Sequence, residues 1–134
     1  YPVPNGYSDV DLVGLNPRTG DAVAVEVKGW HNEPLTMSTF TSWPNLLNFA
    51  NDTATAAIQS ILGERPFRRI LVVSRLGSGS GDAVRAYLSQ HHVEVIDFPA
   101  VLTRLMADAN TNKNADSDAE HLLRIYGYLA PVSE

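Results

Sequence analysis

The stretch YSDVDLVGLNPRTGDAVAVEVK, from Tyr7 to Lys28, decides the fold. Its first part, Tyr7–Leu15, alternates and is rich in apolar residues, and Ala22–Lys28 has the same character, which predicts two β-strands. Between them, Asn16–Asp21 combines Asn, Pro, Gly and Asp, the residues that favour a turn. A turn this short makes the two strands antiparallel neighbours, so we predict a β-hairpin.

Downstream of the hairpin, helical and strand patterns alternate along the chain. Strands separated by helices predict an α/β domain, with a mixed central sheet flanked by helices on both faces. The predicted elements are an irregular segment at residues 29–41, a helix from Ser42 to Leu62, a strand Arg69–Ser74, a helix from Asp82 to Gln90, a strand Val93–Asp97, a helix from Pro99 to Ala107 and a helix Glu120–Leu129.

Charged side chains interrupt the two strands of the hairpin. Because side chains alternate between the faces of a strand, Glu26 and Lys28 point the same way. Asp9 and Asp11 share one face of the first strand, and Asp9 is either a second metal ligand or a flanking surface acid. The short turn therefore allows Asp11 and Glu26 to converge, with Lys28 beside them.

Two carboxylates and an amine suit metal-assisted hydrolysis of a phosphodiester. A dication neutralises the phosphate and lowers the pKa of a water, and Mg²⁺ prefers one or two carboxylates plus waters and substrate oxygens. Asp11 and Glu26 are the candidate metal ligands, and the main-chain carbonyl of Val27 is a candidate further ligand. Lys28 is placed to position the attacking water or to stabilise developing charge.

The alternative is that these residues form only a solvated strand face with a cross-strand ion pair, which is common on exposed sheets. Two features count against it. Charged residues are depleted within strands, and here they interrupt apolar runs. Ala22–Val27 also places Glu26 where a covered central strand would put a core side chain.

The pattern of Asp11 on one strand, a turn, and Glu26-Val27-Lys28 on the next resembles the PD-(D/E)XK nuclease superfamily. The aromatic residue shortly after the Lys, Trp30, makes this stretch similar to restriction endonucleases of the Mrr type. The resemblance covers residues 7–74 and implies a restriction-endonuclease-like fold that cleaves DNA with Mg²⁺ or Mn²⁺. It implies that Asp11 and Glu26 hold the metal, that Lys28 acts on the water, and that Gln59 of the following helix is auxiliary.

The resemblance also implies a helix and a strand before the Asp-bearing strand, and too few residues precede Tyr7 to form both. We therefore expect residues 1–134 to be a single nuclease-like domain of a longer protein, with those core elements missing or replaced. The helix Glu120–Leu129, with Glu120 as an acid, is a candidate replacement.

Other residues have both a functional and a structural interpretation. Trp30 and Trp43 can stack on bases or pack on the core, and His31 can touch a phosphate or simply lie in a loop. Arg65, Arg68 and Arg69 form a basic cluster that can contact a nucleic-acid backbone or remain a surface patch. The Gly77–Gly81 loop lacks a phosphate-binding motif and is predicted to be a connection.

Composition narrows the classes of function. The 134 residues fit one domain, and the absence of Cys excludes thiol catalysis and agrees with the cytoplasmic location that we expect. No apolar run is long enough to predict a membrane span. The net charge of -5 argues against a broad nucleic-acid grip, yet not against a nuclease. A homodimer would suit a duplex substrate. The rivals are an inert nuclease-fold module that binds nucleic acid or docks a protein, and an oligomerisation domain.

Overall fold

The computed structural model describes residues 10–29 and 33–111, with side chains described as far as residue 107. Its sheet has four strands in the order β1-β2-β3-β4. The strands are β1 (Leu12–Leu15), β2 (Ala22–Lys28), β3 (Arg68–Val73) and β4 (Val93–Asp97). The helices are α1 (Met37–Ser42), a 3₁₀ helix (Pro44–Ala50), α2 (Asp52–Leu62), α3 (Gly81–Gln90) and α4 (Phe98–Thr111). The chain divides into two compact units, Tyr1–Asp97 with the sheet and Phe98–Glu134 with α4.

The predicted hairpin is confirmed. β1 and β2 pair antiparallel, with Leu12 opposite Val25 and Leu15 opposite Ala22. The turn closes through Asn16, whose N–H donates to the Asp21 carbonyl at 2.8 Å. Gly20 has φ +78, which a side chain would disfavour, so the sequence places glycine where the turn needs it. Residues 7–9 of the predicted first strand lie outside the described residues.

β2, β3 and β4 run parallel, so a mixed sheet of an α/β protein is confirmed. The helices that connect these strands pack on one face of the sheet: Phe49, Val84 and Leu88 contact the same core as Leu71 and Val95. The prediction of helices on both faces is therefore wrong for the connecting helices of the first unit. Right-handed crossovers that step along a sheet in one direction always fall on the same side.

The single helix predicted from Ser42 to Leu62 is also wrong, because the structure divides it into the 3₁₀ helix and α2. Asn51 makes the break. Its backbone is extended, and its side chain accepts a hydrogen bond from the Ala54 N–H at 2.8 Å, which caps α2. A shorter helix, α1, occupies part of the segment predicted to be irregular, with Thr36 in a capping box at its start.

The opposite face of the sheet keeps apolar side chains partly exposed. Leu12 is 58% exposed and Val27 is 51% exposed. No helix in the described part of the chain is long and apolar enough to span a membrane. The predicted helix Glu120–Leu129 lies outside the described residues.

Candidate functional site

β2 places Glu26 inside the protein. Alternate residues of this strand are buried as far as Glu26, with Ala22 at 3% exposure, Ala24 at 0% and Glu26 at 2%. Ile58 and Leu62 of α2 pack on the two alanines. The sequence pattern thus continues a core stripe into a carboxylate, as predicted. Among the residues that the structure describes, Glu26 is the one buried polar or charged residue.

Lys28 forms an ion pair with this buried carboxylate. Its Nζ contacts Oε1 of Glu26, while its side chain is 37% exposed at the end of the strand. The second carboxylate oxygen, Oε2, is buried and has no hydrogen-bond partner in the described part of the protein. An unsatisfied buried carboxylate oxygen is costly, and natural proteins rarely leave one without a reason.

Asp11 lies across the hairpin from Glu26. Leu12 pairs with Val25, so the register continued by one residue sets Asp11 opposite Glu26. Oδ2 of Asp11 accepts a hydrogen bond from the Val27 N–H at 2.7 Å, and the Asp11 side chain is exposed. This bond holds the carboxylate at the edge of β2. The structure therefore brings Asp11 and Glu26 together, with Lys28 beside Glu26.

The electrostatics of Glu26 reflect this crowding. Burial raises the pKa of its carboxyl above the ordinary value of 4.5. The hydrogen bond and the positive charge of Lys28 lower that pKa, the negative charge of Asp11 raises it, and the Asp11 backbone N–H lowers it. The net direction is upward, because loss of hydration outweighs the single cationic partner. More positive charge at this position would favour the ionised carboxylate.

Val27 contributes its backbone rather than its side chain. Its side chain points to the opposite, partly exposed face of the sheet. Its N–H is directed toward Asp11, and in a strand the N–H and C=O of one residue point to the same side. The Val27 carbonyl therefore lies on the strand edge that faces Asp11, where the sequence predicts a further oxygen ligand.

Gln59 stands apart from this cluster. It is exposed on α2, between Ile58 and the last turn that packs on the first half of β2. α2 connects the end of β2 to the start of the parallel β3, so its last turns lie over the beginning of β2 and not over Glu26. No hydrogen bond joins Gln59 to Asp11, Glu26 or Lys28 in the structure, and its auxiliary role stays a prediction.

The basic cluster predicted around Arg65, Arg68 and Arg69 does not form a single patch. Arg68 and Arg69 are consecutive in β3 and so point to opposite faces. Arg68 pairs with Glu94 at 2.6 Å, and Arg65 donates to the Leu62 carbonyl at 2.6 Å. The strand parity of Arg68 and Arg69 was the signal in the sequence that separates them.

Arg69 lies partly buried on the same face of the sheet as Glu26 and so does not belong to an exposed basic patch. Its position opposite Ala24 puts it beside β2. Its guanidinium donates to Oγ1 of Thr55 at 2.6 Å and lies 4.7 Å from the centre of the Phe67 ring. Burial lowers the pKa of Arg69. These contacts give it a packing role under α2.

Of the remaining predicted residues, the structure describes only Trp43. Trp43 is 55% exposed, whereas Asp9, Trp30 and His31 lie outside the described residues. Within the described ranges, no group of three or more His, Asp or Glu side chains could hold a metal ion. The site consists of two carboxylates and a main-chain carbonyl, which is within the range that Mg²⁺ accepts.

Comparisons with known proteins add no further information about this site. Neither the models of protein families, nor curated proteins, nor solved structures gave a match to this chain. The case for a function therefore depends on the residues and their geometry.

Proposed function

We propose that this protein is a divalent-cation-dependent nuclease of the PD-(D/E)XK type, with Mg²⁺ or Mn²⁺ at the hairpin. The observation that carries the proposal is the buried Glu26 carboxylate, which has one oxygen without a partner among the described residues and lies beside Asp11. A hydrophobic residue would fill this position at lower cost. A carboxylate kept at such cost is typical of a functional site.

The donor set fits a small hard cation. Oε2 of Glu26, the second oxygen of Asp11 and the Val27 carbonyl would hold it, and waters or substrate oxygens would complete the shell. The bound cation would neutralise a phosphate and acidify a water. Lys28, flexible and partly exposed, would hold that water or stabilise the charge on the leaving oxygen. The rigid β2 strand fixes these groups relative to each other.

The order of elements supports the same proposal. The Asp-bearing strand, the strand with Glu26-Val27-Lys28, a helix and a parallel core strand follow one another as the resemblance implies. We propose DNA as the substrate, with a homodimer as the assembly that would cut both strands of a duplex. These choices of substrate and assembly rest on the resemblance alone.

The second candidate is an inert module of the same architecture, which binds nucleic acid or docks a protein. Two contacts favour it. Lys28 already forms an ion pair with Glu26, and Oδ2 of Asp11 already satisfies the Val27 N–H. In that case both acids are structural, and neither needs a cation.

Cleavage assays with matched variants separate the two candidates. Single- and double-stranded DNA and RNA are incubated with the full chain and Mg²⁺ or Mn²⁺. We expect cleavage by the wild type that Glu26→Gln, Asp11→Asn and Lys28→Ala each abolish. Glu94→Gln, which removes a carboxylate from the exposed pair with Arg68, is the control and should cleave normally. Normal cleavage by all three site variants, or cleavage that does not require a divalent cation, would contradict the proposal.

A further inference from the structure

The ion pair of Lys28 with Glu26 lies beside the position where a cation would bind. Lys28 Nζ contacts Oε1 of Glu26, and the same carboxylate offers Oε2 on its other side. A carboxylate group is small, so an ammonium on one oxygen and a dication on the other would lie only a few ångströms apart. Two positive charges at that distance repel strongly in a partly buried site.

The two partners differ in freedom to move. Glu26 is 2% exposed and fixed within the core face of β2. Lys28 ends the strand, and its side chain is 37% exposed on a flexible four-carbon stem. Hydration of a displaced Lys28 is therefore easy, whereas the Glu26 side chain would have to leave the core face of β2 to be hydrated. If one partner leaves when a cation arrives, it is Lys28.

On the basis of the proposed metal site, we propose that Lys28 is an internal counter-ion which leaves Glu26 when a divalent cation binds. In the cation-free protein, its ammonium stabilises the buried carboxylate. In the loaded site, its ammonium is released and becomes available to the water or the phosphate. The ammonium is therefore free to contact the water or the phosphate only when the cation is bound.

This exchange predicts that removing Lys28 tightens cation binding. We expect Lys28→Met to bind Mn²⁺ about ten-fold or more tightly than the wild type, because the cation no longer displaces a bound charge. The control is Arg18→Met, which removes the same charge from the exposed β1–β2 turn at the far end of the hairpin. At an ionic strength of about 0.15 M that charge is screened over roughly 8 Å, so Arg18→Met should leave the affinity unchanged. Titration calorimetry or Mn²⁺ electron paramagnetic resonance measures both affinities.

A second readout uses the wild type and so does not depend on the folding of a variant. The ¹⁵N resonance of the Lys28 ammonium should shift from an ion-paired to a hydrated position during Mg²⁺ titration. The shift should saturate with the same Kd as binding measured by calorimetry. An unshifted resonance in the saturated protein would overturn the exchange, as would unchanged or weaker Mn²⁺ binding by Lys28→Met.

The outcomes also separate this inference from the proposed function. Tighter Mn²⁺ binding by Lys28→Met, without any nucleic-acid cleavage by the wild type, would support the exchange and contradict the nuclease. Cleavage with an unchanged affinity in Lys28→Met would support the nuclease and overturn the exchange. Absence of Mn²⁺ binding by both proteins would overturn both.

Discussion

Replacing Glu26 by Met tests whether the buried carboxylate serves the fold or a ligand. Met has a similar length and is apolar, so it extends the core stripe formed by Ala22 and Ala24. It removes the unsatisfied Oε2, which costs about 1–3 kcal/mol when buried. It also removes the ion pair with Lys28, and this loss destabilises the protein by about 1 kcal/mol or less because Lys28 is partly exposed and can be hydrated.

The balance favours the variant. We expect Glu26→Met to raise the free energy of unfolding of the cation-free protein by about 1–2 kcal/mol, in line with other replacements of buried ion pairs. For a chain of this length, that gain raises Tm by roughly 4 °C for each kcal/mol. Urea and thermal unfolding in EDTA, followed by circular dichroism, measure it. Glu94→Met is the control, and it should bring no comparable gain, since Glu94 is in an exposed ion pair.

One result would refute this reasoning. A loss of about 3–5 kcal/mol in Glu26→Met would match the breaking of a buried pair on which the fold depends. Glu26 would then be a structural residue, and its unpartnered oxygen would no longer point to a ligand. A gain in stability, together with loss of Mn²⁺ binding, would show that stability is given up for binding at this position.

Three further predictions follow from the same contacts. Asp11→Asn keeps an oxygen that can accept from the Val27 N–H, so it should weaken Mn²⁺ binding and leave stability in EDTA unchanged. Asp11→Ala removes that acceptor, so it should weaken Mn²⁺ binding and also lose about 1 kcal/mol of stability in urea unfolding. Burial raises the pKa of Glu26, so its contribution to stability is fully present below pH 4.5 and is lost as pH rises through the raised pKa. Tm measured in EDTA should therefore fall between pH 4.5 and the raised pKa in the wild type. Glu26→Gln should show no such fall. Phe49→Ala, at a fully buried position of the main core, should cost about 3–5 kcal/mol in urea unfolding, and a cost below 1 kcal/mol would contradict the packing described.

The sequence predicts the hairpin and its cluster because both depend on local rules. Strand alternation places Glu26 and Lys28 on one face, and the Asn16–Asp21 turn sets the register that brings Asp11 opposite Glu26. Burial of Glu26 also follows from the pattern, since it continues the line of Ala22 and Ala24. These inferences require no knowledge of distant contacts.

Other features depend on competition that a periodic pattern does not reveal. The apolar spacing around Asn51 suits one long helix, yet its side chain gains more by capping α2 than by staying within a helix. The packing of both connecting helices of the first unit on one face follows from the direction of the two crossovers, which composition does not encode. The ion pair of Lys28 with Glu26 could not be predicted from the sequence either, because spacing shows only that the two residues share a face.

For the proposed cation site, the same ion pair would allow the buried carboxylate to be tolerated before a cation binds. A bare carboxylate at 2% exposure would oppose folding, and neutralising it by protonation would remove the ligand. An ammonium two residues along the strand favours the ionised form of the carboxylate and leaves its second oxygen without a partner among the described residues. The triplet Glu26-Val27-Lys28 therefore has two physical requirements at one spacing. Under the proposed function, one is a shared face for the two groups, and the other is a counter-ion close enough to stabilise the acid and exposed enough to leave it when a cation binds.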